Sequence, residues 1–250
     1  MKTDDLTTGS MASHFRKLAI PAAFGMLFTT LYNVVDVYYA GLLSTDTQAG
    51  LAIGYQAFFI MMAVGFGLSS ALSTLVSNAK GSGNNTQAQR YVIQGIVFGI
   101  IITVFCMILS WFLGPEIIVL VSEPGAYRNA ATGYFYWLIF ALPGFLLASG
   151  GNGILLAHGD SRSMLCALIV AFVANIGLNP LLMFGLPGLW SGIGFNGIAA
   201  ATIISQTGVM AYIVVRIFQL EIMQSVQLTA FRLDMDSFKK IFAQLLPASS

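Results

Sequence analysis

The sequence has little charge. Asp, Glu, Lys and Arg make up 8% of its 250 residues, against about 25% in soluble domains, so an ordinary water-soluble fold is excluded. A net charge of +1 leaves no electrostatic footprint for nucleic acid. Cysteine is scarce too. Cys106 and Cys166 both fall in apolar runs on different predicted helices, which gives neither a redox motif nor a metal motif. His14 and His158 have no Cys or His companion nearby, so neither reads as a metal ligand. No small-residue cleavage site follows the first apolar run, which is too long for a signal-peptide core and is expected to stay as a helix. Intramembrane proteolysis would need two membrane aspartates or a His/Glu cluster. Neither is present, and no enzyme activity is expected.

What is present is hydrophobic length: 57% of residues are hydrophobic and the mean hydropathy is +0.81. A spanning helix needs about 20 apolar residues. Six runs qualify, at 18–43, 49–79, 91–114, 130–157, 163–184 and 194–215. The expected fold is an all-α integral membrane bundle of six transmembrane helices. The last two runs share one uncharged stretch, divided at 185–192 where Gly and Pro break the pattern. The fourth run contains Pro143-Gly144 and Ser149-Gly150-Gly151-Asn152-Gly153. Such a run predicts a bent or locally opened helix beside a cavity. The serines and glycines of the second run read as close-packing residues.

Alternating the six runs across a bilayer sorts the basic residues. Lys2, Arg16, Lys17, Lys80, Arg90, Arg162, Arg216, Arg232, Lys239 and Lys240 fall on one side, and Arg128 alone on the other. The rich side is cytoplasmic by the positive-inside rule. The chain then divides into a cytoplasmic tail (1–17), a six-helix bundle (18–218), a cytoplasmic linker (219–238) and the start of a seventh helix (239–250). The last part mirrors the first. Phe238-Lys239-Lys240 leads to Pro247 as Phe15-Arg16-Lys17 leads to Pro21. Six spans return the chain to its starting side, so a second copy would follow in the same orientation, as in transporters built from parallel repeats. The bundle is therefore expected to be one lobe of a two-lobe (6+6) transporter.

Asp36 is the only charged side chain inside the six runs. A carboxylate at bilayer depth costs roughly 2.5 kcal/mol or more, so it should face a cavity or a partner, and such acids mark ion or proton pathways. A buried structural Asp is the bland alternative. Asp36 lies 19 residues after Lys17. That is about 28 Å along a helix, in the outer half of the membrane. Thr29, Tyr32, Asn33, Asp36 and Ala40 share a helical face by spacing. Pro21 removes a backbone hydrogen bond and is expected to bend this helix. On the fifth run Asn175 and Asn179 stack four residues apart before Pro180, and the sixth adds Thr202, Ser205 and Gln206. Carboxamides of this kind serve equally as polar glue between helices. Together with Asp36, the Asn and Thr oxygens would offer one charge and several neutral ligands. That combination suits a hard monovalent cation such as Na⁺.

Four ordered motifs resemble the multidrug and toxic compound extrusion (MATE) transporters. Ile20-Pro21-Ala22-Ala23, Tyr32-Asn33-Val34-Val35-Asp36 and Gly41 are similar to the family's first helix. Ala157-His158-Gly159-Asp160-Ser161-Arg162 resembles its fourth-to-fifth loop. Asn175-Ile176-Gly177-Leu178-Asn179-Pro180 and Gly197-Ile198-Ala199-Ala200-Ala201-Thr202 resemble its fifth and sixth helices. The resemblance implies two six-helix bundles around a cavity that opens alternately to each side. It implies export of small organic, mostly cationic drugs, driven by inward flow of Na⁺ or H⁺, with no other cofactor. It assigns ion coupling to Asp36, Asn175, Asn179 and Thr202 and to the main-chain carbonyl of Ile198. Tyr32 and Pro21 fall at positions tied to proton coupling and helix bending, and Asn33 and Gln206 are candidate polar residues of the cavity. The implied partners are the lipid bilayer and a C-terminal lobe of the same protein. The implied location is the inner (plasma) membrane of a bacterium, with the N-terminus cytoplasmic. Asn179 departs from the many members that carry Asp there, which tells against a two-acid, purely proton-driven scheme. The rival reading is a flippase of lipid-linked sugars from the wider superfamily. That would call for basic residues in the membrane interior, which these runs lack. A non-transporting membrane scaffold is the remaining alternative.

The ten-to-one basic asymmetry predicts orientation. With Cys106 and Cys166 replaced, a cysteine at Asn84 should label only from the cytoplasm and one at Thr45 only from outside. Labelling of position 84 from outside would reverse the topology.

Overall fold

The computed structural model describes residues 11–224 and 231–245. Most of the expected tail, the middle of the linker, and Pro247 with its match to Pro21 lie outside the described residues. Helix α1 spans Met11–Gly41 and runs through Pro21 without a break. Ser44 opens α2 (Thr45–Gly81) with a capping box, in which its side chain and that of Thr47 each accept the other's backbone N–H at 3.1 Å. Asn84 opens α3 (Asn85–Val121) by accepting the Gln87 N–H at 3.0 Å. Both helices have 37 residues, about 56 Å. They therefore outrun a hydrocarbon core of about 30 Å.

The fourth expected span is bent, as its Gly and Pro content predicts. It is two helices, α4 (Ala126–Ile139) and α5 (Leu142–Ala157), meeting at 53°. Pro143 lies in the first turn of α5, where its missing N–H breaks no intrahelical bond. Helices α6 (Arg162–Phe184) and α7 (Asn196–Phe218) complete the bundle. The turn between them has positive φ at Gly185, Gly188, Gly192 and Gly194, conformations that favour glycine. Counting α4 and α5 as one, the described residues hold six helices long and apolar enough to cross a membrane.

Helix α2 is the hub, packed on α3, α4 and α5, while α6 pairs with α7 and α1 lies along α6. Small residues set these distances. At Gly153 of α5 a Cβ would stand 2.2 Å from the Ser69 carbonyl oxygen of α2. At Gly144 it would stand 2.8 Å from the Gln206 backbone of α7.

Among the described residues, several of the basic residues assigned to one side of the membrane make contacts at the same end of the bundle. There Lys80 donates to the Ala157 carbonyl at 3.4 Å, and Arg216 pairs with Asp160 at 2.8 Å. Burial alone would raise the Asp160 carboxyl. Hydrogen bonds from Ser163 and the Arg216 charge outweigh it and hold the group below the usual carboxylate range. The same end holds the chain after α7. The Gln94 carboxamide donates to the Arg232 carbonyl at 2.8 Å and accepts the Asp234 N–H at 3.1 Å. Arg90 pairs with Asp234 at 2.6 Å. Helix α8 (Met235–Leu245) starts four residues before the expected seventh helix. It docks with Phe238 edge-on to Phe98 of α3 and with Ile241 fully buried.

The α2–α5 contact predicts a contrast between two glycines. Gly153→Ala should destabilise the protein by about 1–3 kcal/mol through overpacking. Gly133→Ala, where nothing lies within 4 Å of the added Cβ, should leave the melting temperature of the purified protein near wild type. Equal melting temperatures for the two would contradict the close approach at Ser69.

Candidate functional site

Three helices converge on Asp36, and each brings its polar residue there by its own local rule. On α1 the buried positions are Gly25, Tyr32, Asp36 and Ala40, a helical stripe. On α6 the four-residue spacing aims both Asn175 and Asn179 at that stripe. The missing N–H of Pro180 would strand the Ile176 carbonyl one turn back. The Tyr39 hydroxyl of α1 donates to that carbonyl at 3.2 Å. The break in α6 is thereby mended by the helix that carries the acid. On α7 the close approach at Gly144 lets Thr202 reach in from a third side.

The contacts span the sequence. Asn179 Nδ2 donates to Asp36 Oδ1 at 2.8 Å and to Asn175 Oδ1 at 3.1 Å, and Thr202 Oγ1 donates to Asp36 Oδ2 at 3.3 Å. Asp36 is 4% exposed and both asparagines are fully buried. Its two hydrogen-bond donors are neutral. Four buried polar atoms around it have no hydrogen-bond partner: Tyr32 Oη, Asn175 Nδ2, Asn179 Oδ1 and Ser205 Oγ. Tyr32 adjoins Thr202, Ser205 and Asn175. Buried polar groups in folded proteins are nearly always paired, so this cluster has spare capacity for a ligand. Its oxygens are hard and its formal charge is one, which fits a monovalent cation. Among the described residues no group of three or more His, Cys, Asp or Glu could hold a polyvalent metal.

The other predicted positions are placed as follows. Ile198 is fully buried in the first turn of α7, four residues before Thr202 and on its face. Asn33 turns to α2 instead, where its amide donates to the Tyr55 hydroxyl at 3.3 Å. Gln206 is buried at the crossing with Gly144 of α5. Pro21 lies 15 residues before Asp36, about 22 Å down the helix, and is not part of the cluster. Two tyrosines escaped the sequence reading. Tyr55 receives Asn33, and Tyr134 of α4 lies fully buried beside Thr202 and stacked on Phe195 at 5.3 Å. Both stand in apolar runs where Tyr and Phe pack alike, so only the structure shows which hydroxyls are used.

Residues 21–181 match the MatE family. The chain is 28% identical over 168 residues to the multidrug resistance protein MdtK of Cronobacter sakazakii, covering 67% of this chain and 37% of that protein. It is 25% identical over 169 residues to the FAD transporter of Shewanella oneidensis, with the same shares. Among solved structures, a multidrug resistance MATE family transporter of the MOP superfamily in an outward-facing conformation superposes with a TM-score of 0.83 at 22% identity. A MOP superfamily transporter from Pyrococcus furiosus superposes with 0.84 at 21% identity. These cover 98% of this chain but 54% and 53% of those proteins, so the chain spans about half the length of the transporters it matches. With the family matched over well more than half of its residues and the fold over nearly all of them, this chain belongs to the MatE family, the multidrug and toxic compound extrusion transporters, and has the fold of one half of such a protein.

Proposed function

We propose that this lobe carries the ion-coupling site of a secondary active multidrug exporter, in which inward flow of Na⁺ or H⁺ drives efflux of organic, mostly cationic compounds. The observation that carries the reading is a carboxylate at the meeting of α1, α6 and α7 whose hydrogen-bond donors are both neutral. An anion in a low-dielectric interior calls for a counter-charge, and here a mobile ion would supply it. Na⁺ and a proton would compete for one carboxylate, since each neutralises Asp36 when it arrives. Asn179 lends amide contact without a second charge, so one ion per visit suffices.

A cationic cargo fits the buried inventory. Among the described residues the buried polar and charged side chains include a carboxylate but no lysine or arginine. The relatives' names differ on cargo, one a multidrug resistance protein and the other a FAD transporter. An anionic cargo would call for cationic groups, and no lysine or arginine is buried among the described residues. The lobe would work against a second one, rocking about the cavity between them. The membrane would be a bacterial inner membrane with the basic end cytoplasmic, so that Asp36 lies in the outer half and loads from outside.

The test is Asp36→Asn in the full-length transporter, reconstituted in vesicles and compared with wild type at matched protein levels. Folded protein should persist, because asparagine keeps the size and much of the hydrogen bonding. Gradient-driven export should fall by about tenfold or more, on the scale of the free energies that couple ligand sites. Equilibrium drug binding should survive. Asn175→Ala removes a neutral ligand and should weaken Na⁺ binding by only about 1 kcal/mol. In the wild type, lowering the pH should weaken Na⁺ binding as protons take the carboxylate. Near-normal, gradient-driven export by Asp36→Asn would end the coupling reading.

A further inference from the structure

Ser205 stands three residues beyond Thr202 on α7, 5% exposed, and its hydroxyl has no hydrogen-bond partner. Thr103 and Ser110 of α3 are likewise buried and partnerless, but a hydroxyl in a helix can bond back to the carbonyl one turn earlier. Other hydroxyls in this chain do so: Thr29 to Gly25, Thr30 to Met26 and Thr132 to Arg128. Ser205 forgoes that bond while buried away from water. Beside it the Tyr32 hydroxyl is equally buried, facing the Ser205, Thr202 and Asn175 side chains without a well-formed hydrogen bond to any of them. If position 205 existed only to let helices pack closely, alanine would do the same without an unpaired hydroxyl. The unpaired set around Asp36 also mixes kinds. Asn175 Nδ2 only donates, Asn179 Oδ1 only accepts, and the two hydroxyls do either. A bare cation would satisfy the oxygens and be repelled by the amide donor. Water satisfies both.

We propose that Ser205 is a further ligand residue of the coupling-ion site, its hydroxyl acting with that of Tyr32 to hold the water that the ion keeps when it binds Asp36. This rests on the ion-coupling role of Asp36. The ion then enters only partly dehydrated, with Asp36 and Thr202 on one side and a hydrated face toward Ser205 and Tyr32. Ser205 sets affinity through neutral hydrogen bonds and leaves the charge balance to Asp36.

The experiment is a Na⁺ titration of the purified full-length protein, with choline keeping ionic strength constant and melting temperature as the readout. Wild type should be stabilised saturably. Ser205→Ala should need about fivefold more Na⁺ for half the effect, the equivalent of one neutral hydrogen bond. Ser110→Ala deletes an equally buried, partnerless hydroxyl on α3 and should leave the midpoint in place. If alanine lowers the folded yield, Ser205→Cys carries the comparison, since a thiol is a weak hydrogen-bonding group and the same shift is expected. A midpoint unchanged from wild type in the Ser205 variant overturns the proposal while leaving Asp36 intact as the ion site. A wild type that Na⁺ does not stabilise at all overturns both.

Discussion

One carboxylate, held away from water by neutral partners, is the constraint around which this lobe is arranged. Burying a charge is tolerable only where hydrogen bonds or a counter-ion compensate it. The hydrogen bonds to Asp36 come from α6 and α7, far from it in sequence. The architecture follows from that need. Pro180 interrupts the α6 backbone one residue after Asn179, and α1 repairs the gap with Tyr39, the residue three beyond the acid. The α7 helix can bring Thr202 to the site because α5 meets it at a glycine. Even so, the compensation is partial. Two neutral donors serve one anion, and four polar atoms beside it stay unpaired. If Asp36 has the ion-coupling role proposed above, a small cation or a proton would be worth more there than in water.

The fold was legible because lipid enforces a simple rule. Every spanning segment must be long and apolar, so six runs announced six spans, and Pro143 with its neighbouring glycines announced the bend that separates α4 from α5. Helix ends were less legible. The α2 and α3 helices run longer than the expected spans: polar residues extend α2 at both ends and α3 at its start, and α3 also runs on through Pro115 and the apolar stretch to Val121. Asp36, Asn175, Asn179 and Thr202 were legible by polarity contrast: each is an expensive residue in an apolar run. Asn33 shows where that logic fails. Helical spacing places it near the Asp36 face but does not say which neighbour lies opposite, and the neighbour proved to be Tyr55 of α2. Tyr134 was hidden because a tyrosine in an apolar run reads like a phenylalanine until its hydroxyl is located. Ser205 was legible only as one more polar residue of the sixth run, and its failure to bond back to its own backbone is visible only in coordinates.

The basic end follows a different chemistry. Two of its aspartates are both paired and capping. Asp160 accepts the Arg162 and Ser163 N–H groups at the start of α6 and also meets Arg216 from the end of α7. Asp234 does the same for α8, accepting the Asp236 N–H while it meets Arg90. Gln94 was illegible for a plain reason: a glutamine near the start of a helix looks like surface, yet this one is 2% exposed and grips two main-chain groups of the segment before α8. A carboxamide that both donates and accepts fixes a backbone in position without bringing any charge to it. The segment after the bundle is thus tied to α3 at a defined point.

The contrast between the two ends bears on how such a lobe could work. At the basic end Asp160 and Asp234 are matched within the protein by an arginine and by backbone N–H groups, so an added ion has little to gain there. At Asp36 the matching is left incomplete, and the missing part is of a kind that a diffusing ion can supply and take away. A ligand shifts an equilibrium between two shapes only by the difference in its affinity for them. An acid already neutralised by a fixed arginine would bind a cation weakly in every shape and could transmit nothing. An acid held by one amide and one hydroxyl from two different helices would bind it tightly or weakly according to how those helices stand. In the proposed coupling role, neutral partners on separate helices would let Asp36 report the shape of the lobe, and the α1–α6–α7 junction would be the part whose rearrangement changes what the ion is worth.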